Sequence, residues 1–226
     1  MYKQLEEVLG IYFQDSQLLQ LALTHRSYIY ETAGAGQSSN ERLEFLGDSI
    51  LALISADFLY RMFPQLTEGE LTDVRAVLVR TETLANFARE MNLGNFLLMG
   101  KGEHHTGGGQ RVLASAFEAI LGAIYLDQGI VAAQNFVVPK LDPIAHTIVE
   151  NRLFKDNKSR FQELAQAHDG ITPAYRLASQ EGPSHNREFT VEVLLGETVA
   201  GRGQGRNKQT AEQEAALAAM INRGWI

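Results

Sequence analysis

The sequence predicts a multidomain protein: an all-α domain over residues 1–150, then a small α+β domain of order α-β-β-β-α over residues 158–226. Three observations lead to this fold class. Apolar residues recur with the 3.6-residue period of helices through the first region, whereas residues 188–195 alternate between apolar and polar, as in a half-buried strand. The segment between the two regions, residues 151–157, is polar and charged and is typical of a linker.

The first domain is predicted to consist of consecutive amphipathic helices. A long helix begins near Asn40 and ends before Pro64, because proline cannot continue a helix. Shorter stretches with apolar residues at helical spacing precede and follow it. A Gly-rich loop at 100–109 leads into a helix over 112–127, and a further helix is predicted over 131–149.

The second domain is predicted to open with a helix that has Phe161 on its apolar face. Strands are expected at 174–179 and 188–195, and a third at 197–201. The Ala-rich stretch 208–221 is predicted to form the closing helix.

Composition excludes several classes of site. The 226 residues include no cysteine, which excludes disulfides, zinc-thiolate sites and a cysteine nucleophile and fits a reducing compartment, so we expect a cytoplasmic protein. The N-terminus lacks the pattern of a signal peptide, and the apolar stretch between Asp48 and Asp57 is too short to span a bilayer, so no membrane partner is expected.

The net charge of −7 argues at first against a nucleic-acid partner. The charge is unevenly distributed, however. Residues 158–226 contain eight basic and eight acidic residues, which leaves 12 basic and 19 acidic residues in the preceding part of the chain. The acidity therefore belongs to the helical domain and does not exclude nucleic-acid binding by the second domain.

An acidic face is predicted on the long helix. Glu41, Glu44 and Asp48 are spaced i, i+3 and i+7, so their side chains point to one side. The residues expected to face the core are Leu43, Leu46, Ile50 and Leu53. Carboxylates on one face are typical either of a site for a hard cation such as Mg²⁺ or of a solvated charged surface, and spacing alone leaves both alternatives open.

A second acid lies in unusual surroundings. Glu118 is the one charged residue in the almost entirely apolar stretch 114–123. Burying a carboxylate is costly unless it is paired or bound to a metal. Either Glu118 faces water or an arginine, or it is part of a metal site.

The stretch 40–49, which contains the acidic face of the long helix, has the sequence NERLEFLGDS. Together with the stretches 23–28, 68–76, 87–103 and 117–127, it resembles the ribonuclease III family of double-stranded-RNA endonucleases, whose signature it matches. Residues 158–226 resemble a double-stranded-RNA-binding domain. The resemblance implies a homodimeric enzyme that cuts both strands of duplex RNA, leaving 5′-phosphate and 3′-hydroxyl ends with two-nucleotide 3′ overhangs, in the processing of ribosomal and messenger RNA.

The resemblance also implies roles for individual residues. Glu44, Asp48 and Glu118 match positions that hold catalytic Mg²⁺, for which Mn²⁺ is expected to substitute, and Asp48 and Glu118 are the predicted catalytic pair. Glu41 and Glu68 match positions near the site and the dimer interface. The chemistry agrees, because metal-bound water and a charged clamp on the leaving oxygen require neither a cysteine nor a serine–histidine pair.

One position departs from the family pattern. The family has an aspartate three residues before the glutamate that Glu118 matches, whereas this chain has Ser115. A neutral hydroxyl is a weaker ligand than a carboxylate, so Ser115 is expected to line the site rather than to hold the metal strongly. The alternative function is accordingly a double-stranded-RNA-binding protein of the same fold whose cleavage is weak or absent.

The resemblance implies RNA contacts along one side of the second domain. Helix residues there reach 2′-hydroxyls in the minor groove, a loop histidine contacts a second minor groove, and residues before the last helix bind phosphate. The glycines at 201–205 are expected to let the backbone approach phosphate. The predicted RNA-binding residues are Gln162, Glu163, Gln166, His185, Arg206, Asn207 and Lys208.

Overall fold

The computed structural model describes residues 2–32, 38–104, 109–183 and 187–226. The chain separates into two compact units, Met1–Phe154 and Lys155–Ile226. The first unit is helical and the second combines two helices with three strands, so the predicted fold class is confirmed.

The first unit is built from eight α-helices in its described residues, with a 3₁₀ turn at Leu93–Asn95. They are α1 (Tyr2–Leu9), α2 (Ser16–Ala22), α3 (Arg26–Thr32), α4 (Glu41–Met62), α5 (Glu68–Leu78), α6 (Thr81–Glu90), α7 (Lys101–His104) and α8 (Gln110–Glu150). Helix α4 is the long helix predicted from the sequence. Helix α5 begins with a capping box, in which Thr67 and Glu70 satisfy each other's backbone N–H groups.

Helix α8 contains a sharp change of direction at Gly129, whose φ of 82° is unfavourable for residues with a side chain. The two helices predicted at 112–127 and 131–149 meet at this kink. By length and composition, α8 is the one described helix that could span a membrane, but half of its most apolar stretch of 18 residues is buried inside the protein. Its apolar character is explained by its place in the core.

The core of the first unit lies where α4 and α8 pack together. Leu43 and Ile50 of α4 and Phe117 of α8 are buried there. Leu46 is partly buried. The prediction that Leu53 faces the core was wrong, because this side chain is 59% exposed.

The second unit consists of α9 (Asn157–Asp169), β1 (Ala174–Glu181), β2 (Glu188–Leu195), β3 (Thr198–Gly205) and α10 (Lys208–Asn222). The strands form an antiparallel sheet in the order β1-β2-β3. One face of the sheet buries Val191 and Val193 against Phe161 of α9 and Ala215 of α10. The alternation seen in the sequence of β2 is thus the alternation between this core face and the outer face.

The glycines near residue 203 have a packing role that the sequence did not predict. They lie within β3, which extends beyond the predicted end at residue 201. A Cβ at Gly203 would lie 2.1 Å from the backbone nitrogen of Ala215, and one at Gly201 would lie 2.5 Å from its carbonyl oxygen. These glycines therefore allow α10 to pack closely on the sheet, and their approach to phosphate stays a prediction.

The end of the chain folds back onto α9. The Trp225 ring stacks on His168 with a centroid separation of 4.9 Å and contacts Phe161 at 5.6 Å. The guanidinium of Arg223 lies 5.1 Å above the same ring and also pairs with Asp169. Trp225 thereby joins the C-terminus to the first helix of this unit.

Candidate active site

Two glycines let α4 and α8 cross at close range. A Cβ at Gly47 would lie 1.8 Å from the carbonyl oxygen of Glu118, and a Cβ at Gly122 would lie 2.4 Å from that of Leu43. Any larger residue at either position would collide with backbone, which cannot rotate away. The crossing places the acidic face of α4 beside Glu118.

Three carboxylates meet at this crossing. Asp48 is exposed, whereas Glu44 and Glu118 are half-buried. Burial, which is the largest cause, and the negative charges of Asp48 and Glu44 together raise the pKa of Glu118 from 4.5 to about 7. Near neutral pH, the three carboxylates therefore repel one another, and Glu118 is partly protonated.

Ser115 is also part of this cluster. It lies one helical turn before Glu118, and its hydroxyl donates a hydrogen bond of 2.8 Å to Oε1 of Glu44. This bond orients the Glu44 carboxylate and uses one of its lone pairs. Ser115 thus lines the site and contacts a predicted metal ligand.

The cluster fits a divalent cation in its chemistry, although its geometry is not that of a preformed metal site. Among the described residues, no group of three or more His, Cys, Asp or Glu side chains is placed so that it could hold a metal ion. Carboxylate and hydroxyl oxygens are nevertheless the donors that hard divalent cations take. The repulsion that raises the pKa of Glu118 is also what a cation would relieve.

The structure gives Glu41 and Glu68 different surroundings. Ser39 Oγ donates to Glu41 at 2.7 Å and Arg26 pairs with it at 3.3 Å, contacts that lower the pKa of Glu41. Glu68 is exposed at the start of α5, where it accepts a hydrogen bond of 3.4 Å from Thr72. No described hydrogen bond or ion pair connects Glu68 to the carboxylate cluster.

In the second unit, Gln162, Glu163 and Gln166 lie together on the exposed face of α9 and line a shallow cleft. Nζ of Lys155 contacts both carboxylate oxygens of Glu163 at 2.7 and 2.9 Å. The three side chains share one surface, as a groove-binding helix requires.

Arg206, Asn207 and Lys208 are exposed where β3 leads into α10. The Asn207 side chain caps this helix by accepting a hydrogen bond of 2.8 Å from the Thr210 backbone nitrogen. The start of α10 therefore presents basic side chains beside backbone N–H groups, a combination suited to phosphate. His185 lies outside the described residues.

Comparison with known families agrees with both halves of this description. Residues 15–143 match the family described as Ribonuclease-III-like, and residues 157–222 match the double-stranded RNA binding motif. The chain belongs to the ribonuclease III family. The first match contains the whole α4–α8 crossing, and the second contains every element of the α-β-β-β-α unit.

Full-length ribonuclease III relatives extend the similarity over nearly the whole chain. Ribonuclease 3 of Pelotomaculum thermopropionicum is 46% identical, with 96% of this chain and 91% of the relative covered. Ribonuclease 3 of Oceanobacillus iheyensis is 47% identical, with 96% of each covered.

Solved structures show the same similarity. The nuclease domain of ribonuclease III from Campylobacter jejuni is 37% identical and has a TM-score of 0.57, with 63% of this chain and 97% of that chain covered. Dicer from Pichia stipitis is 26% identical and has a TM-score of 0.50, with 94% and 96% covered.

Sequence reasoning missed two features of this ribonuclease III site. Gly47 and Gly122 lie inside the motif stretches 40–49 and 117–127 but were assigned no role, although a glycine one helical turn from Glu44 or Glu118 allows a close approach of the backbone. The pairing of Arg26 with Glu41 was also missed. Nothing in the local sequence indicates a contact between residues fifteen positions apart on different helices.

Proposed function

We propose that this protein is an endonuclease that hydrolyses the phosphodiester bonds of double-stranded RNA. The observation that carries the proposal is the crossing of α4 and α8, which brings Glu44, Asp48 and Glu118 together in a chain that also has a double-stranded RNA binding motif. The proposed products have 5′-phosphate and 3′-hydroxyl ends with two-nucleotide 3′ overhangs.

The proposed active site works by charge and position. Glu44, Asp48 and Glu118 would hold a divalent cation, Mg²⁺ or in its place Mn²⁺, which supplies positive charge to the scissile phosphate and activates water for attack. Ser115 orients Glu44 through its hydrogen bond of 2.8 Å. Glu118, with a pKa raised to about 7, releases its proton readily at neutral pH and is then available as a ligand.

The alternative function, a duplex-RNA-binding protein with weak or absent cleavage, is not favoured. It is motivated by Ser115 alone, whereas the relatives named Ribonuclease 3 align with this chain over nearly the whole length of both. The three acidic residues of the site, Glu44, Asp48 and Glu118, are all present despite the serine at position 115.

A homodimer is proposed from an apolar stripe on α4. Phe45, Leu53 and Tyr60 are exposed by 77%, 59% and 73%, and their helical spacing places them on one side of α4. Exposed apolar side chains that share one face mark interaction surfaces. The similar nuclease domain from Campylobacter jejuni has a region involved in dimer formation, which supports the proposal.

The second unit is proposed to hold the duplex. Gln162, Glu163 and Gln166 would contact the minor groove, while Arg206, Asn207 and Lys208 would contact phosphate, together with His185. Duplex segments of ribosomal and messenger RNA precursors in the cytoplasm are the proposed substrates, and a chain without cysteine suits that reducing compartment.

Cleavage of a long RNA duplex tests the proposal. The wild-type protein should cut it in Mg²⁺ or Mn²⁺ and not in a chelator, and duplex DNA of the same sequence should remain intact. Glu118→Gln should retain duplex binding but lose cleavage by at least about 100-fold, because it removes a charged ligand. Wild-type binding without cleavage in either metal would refute the nuclease function and restore the alternative. A homogeneous monomer in sedimentation analysis would refute the dimer.

A further inference from the structure

A polar cleft of about 560 Å³ adjoins the carboxylate cluster of the first unit. Glu44 and Ser115 line it, so any group bound in the cleft lies beside the proposed reacting site. It is also lined by His25 and Arg26, where α3 begins, and by Arg111 in the first turn of α8. Apart from Glu44 and Ser115, these residues have no part in the function proposed so far.

The two arginines differ in their contacts. Arg26 makes an ion pair of 3.3 Å with Glu41, which occupies one of the five N–H donors of its guanidinium. Arg111 is exposed and has no ion pair among the residues described by the structure. It precedes Ser115 by four residues, so the two side chains lie on the same face of α8.

His25 contributes one N–H donor to the cleft, its Nε2–H. The Ser27 backbone nitrogen donates to Nδ1 of His25 at 3.3 Å, so this ring nitrogen is an acceptor. The Ser27 hydroxyl lies 2.8 Å from the same nitrogen and itself accepts a hydrogen bond of 2.9 Å from the Gly100 backbone. The proton of the neutral ring is therefore on Nε2, for which the described part of the chain provides no acceptor.

The cleft contains groups of both charges. Glu41 and Glu44 repel an anion, whereas Arg26, Arg111 and the Nε2–H of His25 attract one. A planar guanidinium that has no carboxylate partner is well suited to a phosphate group, which it can contact through two parallel hydrogen bonds. In a protein that binds RNA, the phosphate in reach of such a cleft belongs to the RNA backbone.

We propose that this cleft binds a backbone phosphate of duplex RNA adjacent to the scissile bond, with Arg111 as its principal contact. Arg26 and His25 complete the subsite. By fixing one phosphate, the cleft determines which neighbouring phosphodiester lies beside Glu118, so Arg111 is a positioning residue. The proposal rests on the endonuclease function proposed above.

The test uses Arg111→Gln in the full chain, with Arg80→Gln as the matched control. Arg80 is an exposed arginine that pairs with Glu82 at 3.1 Å and lines none of the described clefts, so its substitution removes the same charge. For Arg111→Gln, we expect KM for duplex RNA to rise about 5- to 20-fold with little change in kcat, as for loss of one charged contact. The slope of log Kd against log salt should fall by about 0.9 per protomer. Arg111→Lys should retain this slope, because it keeps the charge.

The salt dependence is measured on proteins that also have Glu118→Gln, so that it does not depend on cleavage. If Arg111→Gln and Arg80→Gln give the same KM and the same salt slope while the wild-type protein cuts duplex RNA, the subsite is refuted and the nuclease function stands. If the wild-type protein binds without cutting, the nuclease function fails, and the salt slope of the Arg111→Gln protein still decides whether this cleft binds phosphate.

Discussion

Replacing Gly47 by alanine tests whether the close approach of α4 and α8 builds the carboxylate cluster. The new Cβ would lie 1.8 Å from the carbonyl oxygen of Glu118, whereas ordinary contacts begin at 3.4 Å, so the helices must separate by about 1.6 Å. Overpacking of a core costs about 1–3 kcal/mol, and a backbone obstacle places this site at the upper end. The higher helix propensity of alanine offsets about 1 kcal/mol of this cost, so the free energy of unfolding should fall by about 2 kcal/mol.

Urea unfolding followed by far-ultraviolet circular dichroism measures this loss. With an m-value of about 2 kcal/mol per molar urea, the midpoint should fall by about 1 M. Gly69→Ala is the matched control, because it is also a helical glycine but has nothing within 4 Å of the added Cβ. The control should unfold at the wild-type midpoint or slightly above it.

Gly122→Ala provides a second, milder test of the same crossing, since its Cβ would lie 2.4 Å from the carbonyl oxygen of Leu43. Both crossing variants should also cut duplex RNA more slowly, because Glu118 moves away from Asp48. If both variants unfold at the midpoint of Gly69→Ala, the glycines are not required for helix approach and the reasoning is wrong.

Three further predictions concern the charge of the site and the C-terminus. The raised pKa of Glu118, about 7 against an ordinary 4.5, means that the folded state binds its proton more tightly, so without divalent metal this group lowers stability as pH rises from 4.5 through 7. Glu118→Gln should therefore exceed wild-type stability at pH 8 by about 1–2 kcal/mol, after discounting a full conversion of about 3 kcal/mol for partial exposure. In urea titrations the difference should vanish below pH 4.5, and equal stability of the two proteins at pH 8 would contradict the assignment. Ser115→Asp should tighten Mg²⁺ or Mn²⁺ binding about tenfold in calorimetry, because it adds a charged ligand, and an unchanged affinity would exclude Ser115 from the site. Trp225→Ala should destabilise the second unit by about 2 kcal/mol, because the ring contacts with His168 and Phe161 are lost. Trp225→Phe keeps an aromatic ring and is the control; if both variants unfold at the same temperature, the ring contacts are unimportant.

Local spacing was sufficient to predict the helix that presents Glu41, Glu44 and Asp48, because these residues lie within two turns of one helix. Spacing could not predict the crossing with α8, since Gly47 and the Glu118 backbone meet only in the folded chain. The hydrogen bond between Ser115 and Glu44 is equally non-local.

Two sequence predictions failed for physical reasons. Helical periodicity predicted that Leu53 faces the core, but periodicity does not show whether other residues of the same chain cover that side of the helix. The third strand was predicted to end at residue 201, but it continues to Gly205, because the close packing of α10 requires the glycines within it. In both cases, the deciding contact lies outside the local sequence.

The place of Trp225 has a consequence for how the two units can be observed. It is the only tryptophan in the sequence, and its ring lies against His168 and Phe161 within the second unit. Its fluorescence therefore reports the environment of that unit alone, whereas far-ultraviolet circular dichroism is dominated by the longer helices of the first. The intact protein thus has a native optical probe that distinguishes unfolding of the RNA-binding half from unfolding of the half with the carboxylate cluster.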